Sequence, residues 1–402
     1  MSRIDTADAV VVGGGIVGAF LALRLAEAGV RRVVLCEQAR LASHGATSRS
    51  GGLLRLHHTV RSDTELAARS LPVFEQWADV IGGDCGYRRT GFLQLVGPEY
   101  AQALAANTAV VATAAGPGRT EVLGLDDVRR LYPGLSLDGV AAAAHEPDGG
   151  YADPVRAARA ATTAARRAGV EVYEGVRVHE VLTASSQQRV TGVKTTVGRI
   201  SAPLVVLASG AWGTGPAAGL GVQVPVTARR IGLAQARLPD VGRRAGPASV
   251  PTCIDDTTGS YFRPDGTDHL YFGVPSHPDV ALGHDVAPLT AEEISSALEA
   301  VARRVPAVTT AHLTGTRAGL DGYTPDKRPV IGAAGPDGCY LALGFSGGGF
   351  KTAPAVADLA TAEIVEGQAV AGKAEQDLLR PYRLERFDTG RQIVPEAPYA
   401  RG

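Results

Sequence analysis

Lysine is almost missing from this chain of 402 residues. It stands only at 194, 327, 351 and 373, so 36 of the 40 basic residues are arginine. With 50 glycines and abundant alanine, this bias reads as a GC-rich bacterial genome, in which a lysine in an unusual setting stands out. Cysteine is scarce as well, at 36, 85, 253 and 339, with no Cys-x-x-Cys pair and no metal-ligand spacing. That argues against a disulfide frame or a cysteine-held metal and for buried or free thiols in a reducing cytoplasm. Net charge is lacking too. The formal value of −1 gives no general attraction for nucleic acid or for an anionic membrane. No apolar run reaches the length of a membrane span. The segment Ala9 to Ala26, followed by Ala26-Glu27-Ala28, looks superficially like a secretory signal. Its flank Met1 to Asp8 holds one Arg against two Asp, and Gly13-Gly14-Gly15 interrupts it, so it is read as part of the fold.

What is present is ordinary for a chain with a sizeable core: 45% hydrophobic and 20% charged residues, over a length that suits two domains. Ala9 to Val12 is a short β-branched run suited to a strand buried on both faces. Ile16 to Ala28 has helix-forming composition and stops at Gly29, a C-cap candidate. Val33 to Glu37 is a second strand. Further along, Pro154 to Gly169 predicts a helix, Val170 to Tyr173 and Leu204 to Ala208 predict strands, and Ser209 to Trp212 a small-residue turn. Val226 to Pro275 alternates short strands and turns, which predicts an antiparallel sheet. Cys339 to Leu343 and Ala353 to Val365 predict a last strand and helix. The polar, proline-containing stretch after Gly372 is expected to pack irregularly over the surface.

The sharpest motif is Gly13-x-Gly15-x-x-Gly18 between the first strand and helix, with Glu37 ending the second strand. Gly13 allows the tight turn, Gly15 lets a pyrophosphate approach the backbone, and Gly18 lets helix and strand pack closely. The N–H groups of Ile16 and Val17 begin the helix, whose N-terminus favours a phosphate. The Glu37 carboxylate can accept hydrogen bonds from the hydroxyls of a ribose, with Gln38 beside it. The motif indicates a dinucleotide without separating FAD from NAD.

Four blocks together resemble the FAD-dependent D-amino-acid oxidase superfamily, in its sarcosine oxidase and glycine oxidase branch. They are Val10 to Glu37, Thr47 to Arg55, Leu204 to Trp212, and Thr324 to Pro354. The resemblance implies an α/β fold. A discontinuous Rossmann-type FAD domain would be drawn from 1–85, 150–225 and 310–370. A second α+β substrate domain, with a mixed and largely antiparallel sheet, would come from 86–149 and 226–309, with a tail over 371–402. It implies cofactor contacts from Ser48, Arg49, Ser50, Gly51 and Gly52, from Val176, Ala208, Gly210 and Trp212, and from Gly319. The glycine-rich loop with Gly347, Gly348, Gly349 and Phe350 would lie at the pyrimidine end of the flavin. Lys351 stands where sarcosine oxidases carry the lysine that pairs with a substrate carboxylate, and Arg55 at a second carboxylate-binding position. Two cations over one face of a flavin would hold an amino-acid carboxylate and orient its α-carbon. His57 and His58 are candidates to take a proton from the substrate ammonium. Tyr261, Arg263 and Tyr271 are weaker candidates to line the pocket.

Departures from the family pattern carry expectations of their own. The position of the flavin-linking cysteine is Gly319, and that of a flavin-linking histidine is Arg49, which implies non-covalent FAD. The lysine that promotes reaction with oxygen has no counterpart in His269 to Gly273, so oxygen and another electron acceptor both remain open. Asp321 follows Gly319-Leu320, where the glycine oxidase branch places an arginine; this argues against glycine and could favour a substrate with an extra amine. The expected partners are a small amine or amino-acid substrate and oxygen or another acceptor. The expected reaction is C–N oxidation of an amino acid or N-alkyl amino acid. Oxidation of a 2-hydroxy acid and a non-catalytic flavin-binding scaffold are the alternatives.

Overall fold

A computed structural model describes residues 6–184, 188–238, 250–277, 280–282, 286–366 and 378–399. Two large sheets share the chain between them. The first has six strands in the order Val330–Ala333, Cys339–Leu343, Leu204–Leu207, Ala9–Val12, Val33–Glu37 and Glu171–Glu174. Its neighbours run parallel except for the edge strand Val330–Ala333, which pairs antiparallel with Cys339–Leu343. The apolar runs at its centre are buried because both faces are covered. The helices Ile16–Glu27, Pro154–Arg167 and Gly349–Glu366 lie in the core of one face. The three-stranded antiparallel sheet of Val178–Ala184, Arg189–Thr195 and Gly198–Ser201 lies against the other. Pro154–Arg167 starts where it does because Pro154 needs no N–H in the first turn. The Asp153 carboxylate accepts the free N–H groups of Val155 and Arg156.

The second sheet has eight strands, in the order His312–Tyr323, Thr227–Arg237, His269–His277, Ser260–Asp265, Thr252–Asp255, Phe92–Val96, Ala142–Glu146 and Glu121–Leu123. All pairs are antiparallel except Thr252–Asp255 with Phe92–Val96. The two-residue period of a strand divides its faces. Phe262, Leu270, Phe272 and Val274 share a core with Ala297 and Val301 of the Ala291–Ala302 helix. Ile231, Ile254 and Tyr261 look the opposite way, into a cavity against the first sheet.

One expectation changes. His312–Tyr323 is a strand of the eight-stranded sheet, so the stretch 310–370 contributes to both sheets. Residues 378–399 run irregularly over the surface and are pinned to it by Leu378, Leu379, Tyr382, Arg386 and Tyr399, which are buried. The Arg386 guanidinium grips both carboxylate oxygens of Asp326 at 2.7 and 3.0 Å, and the Ile393 N–H donates to the same carboxylate. No described helix is long and apolar enough to cross a membrane. All four cysteines are buried and free.

Candidate cofactor and substrate site

A cavity of about 740 Å³ runs from the first glycine turn to the start of the Gly349–Glu366 helix. At the first end, the glycines are dictated by space. A Cβ on Gly18 would lie 1.9 Å from the Gly13 carbonyl oxygen, and one on Gly13 would lie 2.6 Å from that of Ala208. Gly13 also has φ of 113°, in the region that favours glycine. Gly15 is the residue before the helix, and its own neighbour is the Thr47 hydroxyl, which accepts from the Ile16 N–H at 3.1 Å. The Glu37 carboxylate accepts from the N–H of Gly14 at 2.7 Å and of Ala39 at 2.9 Å, which fixes it at the cavity wall. A carboxylate has about four acceptor positions, so two are left for the hydroxyls of a ribose. A glycine cradle at a helix N-terminus, with an acid at the next strand end, fits a dinucleotide.

Most of the expected cofactor contacts line this cavity: Gly13, Gly15, Ile16, Val17, Glu37, Gln38, Arg49, Ser50, Gly51, Gly52, Val176, Ala208, Gly210, Trp212, Gly347, Gly349, Phe350 and Lys351. Four do not. Gly18 serves the packing of helix on strand, and the Ser48 hydroxyl is engaged by the Gly45 carbonyl and Arg49. The Gly348 N–H donates to the Phe345 carbonyl. Gly319 is covered by Arg49: a Cβ there would lie 2.2 Å from Arg49 Cγ. The two positions from which relatives of the family are expected to link their flavin thus face each other, and here they hold a glycine and an arginine. Arg49 is itself tied down, donating from Nε to the Ala318 carbonyl at 2.7 Å and from Nη1 to the Ser43 carbonyl.

At the far end the chain turns through Ser346 and Gly347, both with positive φ, and enters the helix at Gly349. The helix begins earlier than the sequence predicts, so Lys351 belongs to its first turn instead of the loop before it. Asp321 accounts for the turn. Its carboxylate accepts the N–H of Gly322 and of Gly347, both at 2.8 Å, so it is a buried brace of the glycine-rich loop that also lines the cavity. Burial pushes its carboxyl up to about 6, against the pull of those two N–H groups and of Lys351.

Lys351 is buried, Arg55 is half-buried, and both line the cavity. Neither makes a hydrogen bond or an ion pair with a described residue, whereas the neighbouring Arg328 is paired with Asp63 at 2.5 Å. The Arg55 guanidinium lies 5.7 Å from the centre of the Phe92 ring. Burial, reinforced by the charge of Arg55, lowers the Lys351 ammonium to about 7. Burial likewise lowers Arg55 to about 10, with Glu146 and Asp63 opposing. Tyr261 reaches the same cavity because its ring lies over Gly273, where a Cβ would come within 1.9 Å.

The remaining candidates stand elsewhere. His57 is buried outside the cavity lining, with Nε2 2.6 Å from the Tyr399 hydroxyl. Burial and Arg55 push it down to about 3, which makes it a poor proton acceptor. His58 is also off the lining, and burial with Arg55 and Lys351 nearby holds it well below its ordinary range. Arg263 is buried between the rings of Tyr151 and Tyr271, donates to the Gly51 carbonyl at 2.6 Å and pairs with Asp265. It ties the second sheet to the Gly51 turn and leaves neither itself nor Tyr271 on the cavity. Sequence reasoning missed Ile254 and Tyr323 on the lining, and Glu146 behind Arg55. Glu146 had one signal, an acid closing the apolar strand Ala142–Glu146.

Comparison with known proteins places this architecture. Residues 8–363 match the family described as FAD dependent oxidoreductase. The 4-methylaminobutanoate oxidase (formaldehyde-forming) of Paenarthrobacter nicotinovorans is 29% identical over 86% of this chain and 42% of its own length. Mouse mitochondrial sarcosine dehydrogenase is 27% identical over 95% of this chain and, again, 42% of its own. The chain therefore spans about two fifths of the length of these curated relatives. Among solved structures, an L-proline dehydrogenase from P. horikoshii superposes with a TM-score of 0.86 at 25% identity, covering 97% of this chain and all of that one. A glycine oxidase from Geobacillus kaustophilus shares the fold, with a TM-score of 0.79 at 24% identity over 95% of this chain and 99% of its own. With its glycine cradle, its Glu37 and a match over nearly the whole length, the chain belongs to the FAD dependent oxidoreductase family.

Proposed function

We propose that this chain oxidises the C–N bond of an amino acid or N-alkyl amino acid whose carboxylate is held between Lys351 and Arg55, with FAD bound non-covalently. The observation that carries the reading is the pair of cations without partners among the described residues, on the same cavity as the dinucleotide cradle. A buried cation without a counter-ion is costly, and an anionic ligand removes that cost. Bound FAD supplies the two-electron acceptor.

The chain supplies position and a proton site. Arg55 can bind a carboxylate through two parallel N–H donors, while Lys351 acts as a compact second charge. An amino acid arrives as a zwitterion, and only its neutral amine gives up a hydride readily. With its ammonium lowered to about 7 in the ligand-free protein, Lys351 can meet the zwitterion as a neutral amine, and Nζ can accept the proton leaving the substrate nitrogen. The ammonium so formed pairs with the substrate carboxylate, so the proton stays where it stabilises binding. His57 and His58 have no part in this step. Ile254, Tyr261 and Phe345 form the apolar wall that keeps bulk water from the reacting carbon. Loss of hydride leaves an imine, which water hydrolyses to a carbonyl compound and an amine. Non-covalent FAD is supported by Gly319 and Arg49, which offer no nucleophile for a linkage.

The test is an anaerobic screen of the purified flavoprotein, following bleaching of its visible band. Sarcosine and other N-methyl amino acids, L-proline, L- and D-amino acids, and 2-hydroxy acids would be compared. Bleaching by an amine supports the proposal. Bleaching by a hydroxy acid but not by its amine analogue assigns oxidation of C–OH instead. No bleaching by any class, together with loss of FAD in a Lys351→Met variant, favours the scaffold reading. Admitting air then separates an oxidase, which recovers colour promptly and forms peroxide, from a dehydrogenase that stays bleached.

A further inference from the structure

We propose that Glu146 is a positioning residue for the carboxylate site: it fixes the backbone that carries Arg55 and so keeps the guanidinium aimed into the cavity. The inference rests on the reading that Arg55 holds the substrate carboxylate.

Arg55 lies on a stretch with little structure of its own. The strand before it, Leu53–Leu54, has two residues and pairs only with Gly150–Tyr151, and the next helix starts at Arg61. Between them the chain runs buried and irregular, where each backbone N–H still needs a partner. Glu146 supplies two. Its Oε2 accepts from the Leu56 N–H at 2.7 Å and its Oε1 from the His57 N–H at 2.6 Å, while its side chain is among the most buried of any acid, at 1% exposure. These residues are 89 and 90 positions apart in sequence, so the contact joins the eight-stranded sheet to the Arg55 segment.

A second contact comes from the same strand pair. Phe92 sits directly opposite Glu146 in the register, and its ring lies beneath the Arg55 guanidinium. Glu146 thereby sets the backbone of Arg55 while its neighbour sets the height of the charge. From the other side, the His57 ring meets the Tyr399 hydroxyl, so the segment is gripped from both sides just after Arg55. None of these groups other than Arg55 lines the cavity, so Glu146 acts through Arg55 and does not touch substrate.

Both acceptor oxygens are required for this geometry. Glu146→Gln keeps the size of the side chain but presents one oxygen and one NH2, and the NH2 would face an N–H donor. One of the two backbone groups must then move, taking Arg55 with it.

A double-mutant cycle tests this on the holoprotein. The probe is pyrrole-2-carboxylate, a non-oxidisable acid with a ring N–H, and its Kd is read from the perturbation of the bound-flavin spectrum. Arg55→Gln and Glu146→Gln are each expected to weaken it roughly tenfold or more, with FAD content unchanged. The double variant is expected to bind no more weakly than Arg55→Gln alone, since without the guanidinium there is nothing left to aim. Losses that multiply would show that Glu146 acts independently of Arg55 and overturn the proposal. So would a parental Kd in Glu146→Gln alongside a weakened Arg55→Gln. A parental Kd in Arg55→Gln instead removes the carboxylate reading itself, and the inference with it. Should Glu146→Gln not fold, Glu146→Asp, which keeps the charge on a shorter arm, takes its place in the same cycle with the same contradicting result.

Discussion

The cost of burying Lys351 can be measured apart from the binding role proposed for it. Its ammonium, lowered to about 7 by burial and by Arg55, is easier to deprotonate in the folded protein than in the unfolded chain. A lysine whose folded value is depressed takes up a proton on unfolding, so its charge penalises the fold fully below about pH 7, and the penalty fades as pH rises toward about 10. Lys351→Met should therefore melt several degrees higher than the parent at about pH 6, with a gap that narrows at alkaline pH. Thermal melts across pH check this, and a variant less stable at acid pH would contradict it. The proposed role appears in binding. A carboxylate ligand prefers the protonated lysine, so its affinity should fall as pH rises through about 7 in the parent and should change much less in Lys351→Met. Glu146, which burial pushes up to about 7, titrates in the same range, and the comparison with Lys351→Met separates the two.

Among the elements, those made of local pattern were legible and those made of distant contacts were not. The strands Ala9–Val12, Val33–Glu37 and Cys339–Leu343 lie where the apolar runs predict them. Gly13, Gly18 and Glu37 act together within one βαβ unit, so their spacing carries the geometry. Asp321 bracing Gly347, Glu146 bracing Leu56 and His57, and Tyr399 meeting His57 join residues far apart in sequence, and no window of residues contains both partners. The histidines were misjudged for the same reason: closeness to Arg55 in sequence placed them near the site, but the chain turns their rings into the protein. The anchoring of the segment 378–399 is not legible in its polar, proline-containing sequence, because the partners that hold this strap are far away in the chain. That strap supports a prediction. The Asp326–Arg386 pair is almost fully buried, at 2% and 4% side-chain exposure, and removing one partner of such a pair costs about 3–5 kcal/mol. Asp326→Asn should lower the midpoint of chemical unfolding accordingly, and an unchanged midpoint would show that the strap is dispensable. The Gly319–Arg49 contact makes a further one. Gly319→Cys alone should not attach FAD covalently, because its Cβ collides with Arg49; denaturation in acid followed by a search for flavin on the precipitated chain reads this directly.

At the scale of the molecule, the cavity lies where the two sheets meet, and side chains tie them together around it, Arg49 donating to the Ala318 carbonyl and Asp321 accepting from the Gly347 N–H. Arg263 donates from the second sheet to the Gly51 carbonyl, and Glu146 accepts from Leu56 and His57. A cofactor that touches both sides adds the contacts the chain itself does not make, and a ligand that binds only the folded state raises its stability by mass action. The FAD-free protein should melt lower than the holoprotein and regain the difference on adding FAD. The layers divide the cavity: the parallel sheet brings the glycine turn that fits a dinucleotide, and the antiparallel sheet closes the face that carries Lys351 and Arg55. The chain spans about two fifths of the length of its curated relatives, and within that length it brings the glycine cradle, the cavity and the cation pair together.

The proposed function turns on recognition of a substrate amine by its own carboxylate. The most direct measurement compares the anaerobic rate of flavin bleaching by an N-methyl amino acid that reduces the protein with the rate for its carboxamide, which keeps the reacting C–N bond and loses the negative charge. Loss of a charge paired with a buried lysine and a half-buried arginine should slow the carboxamide by roughly a hundredfold or more. Equal rates for acid and carboxamide would contradict the account and assign Lys351 and Arg55 some other task.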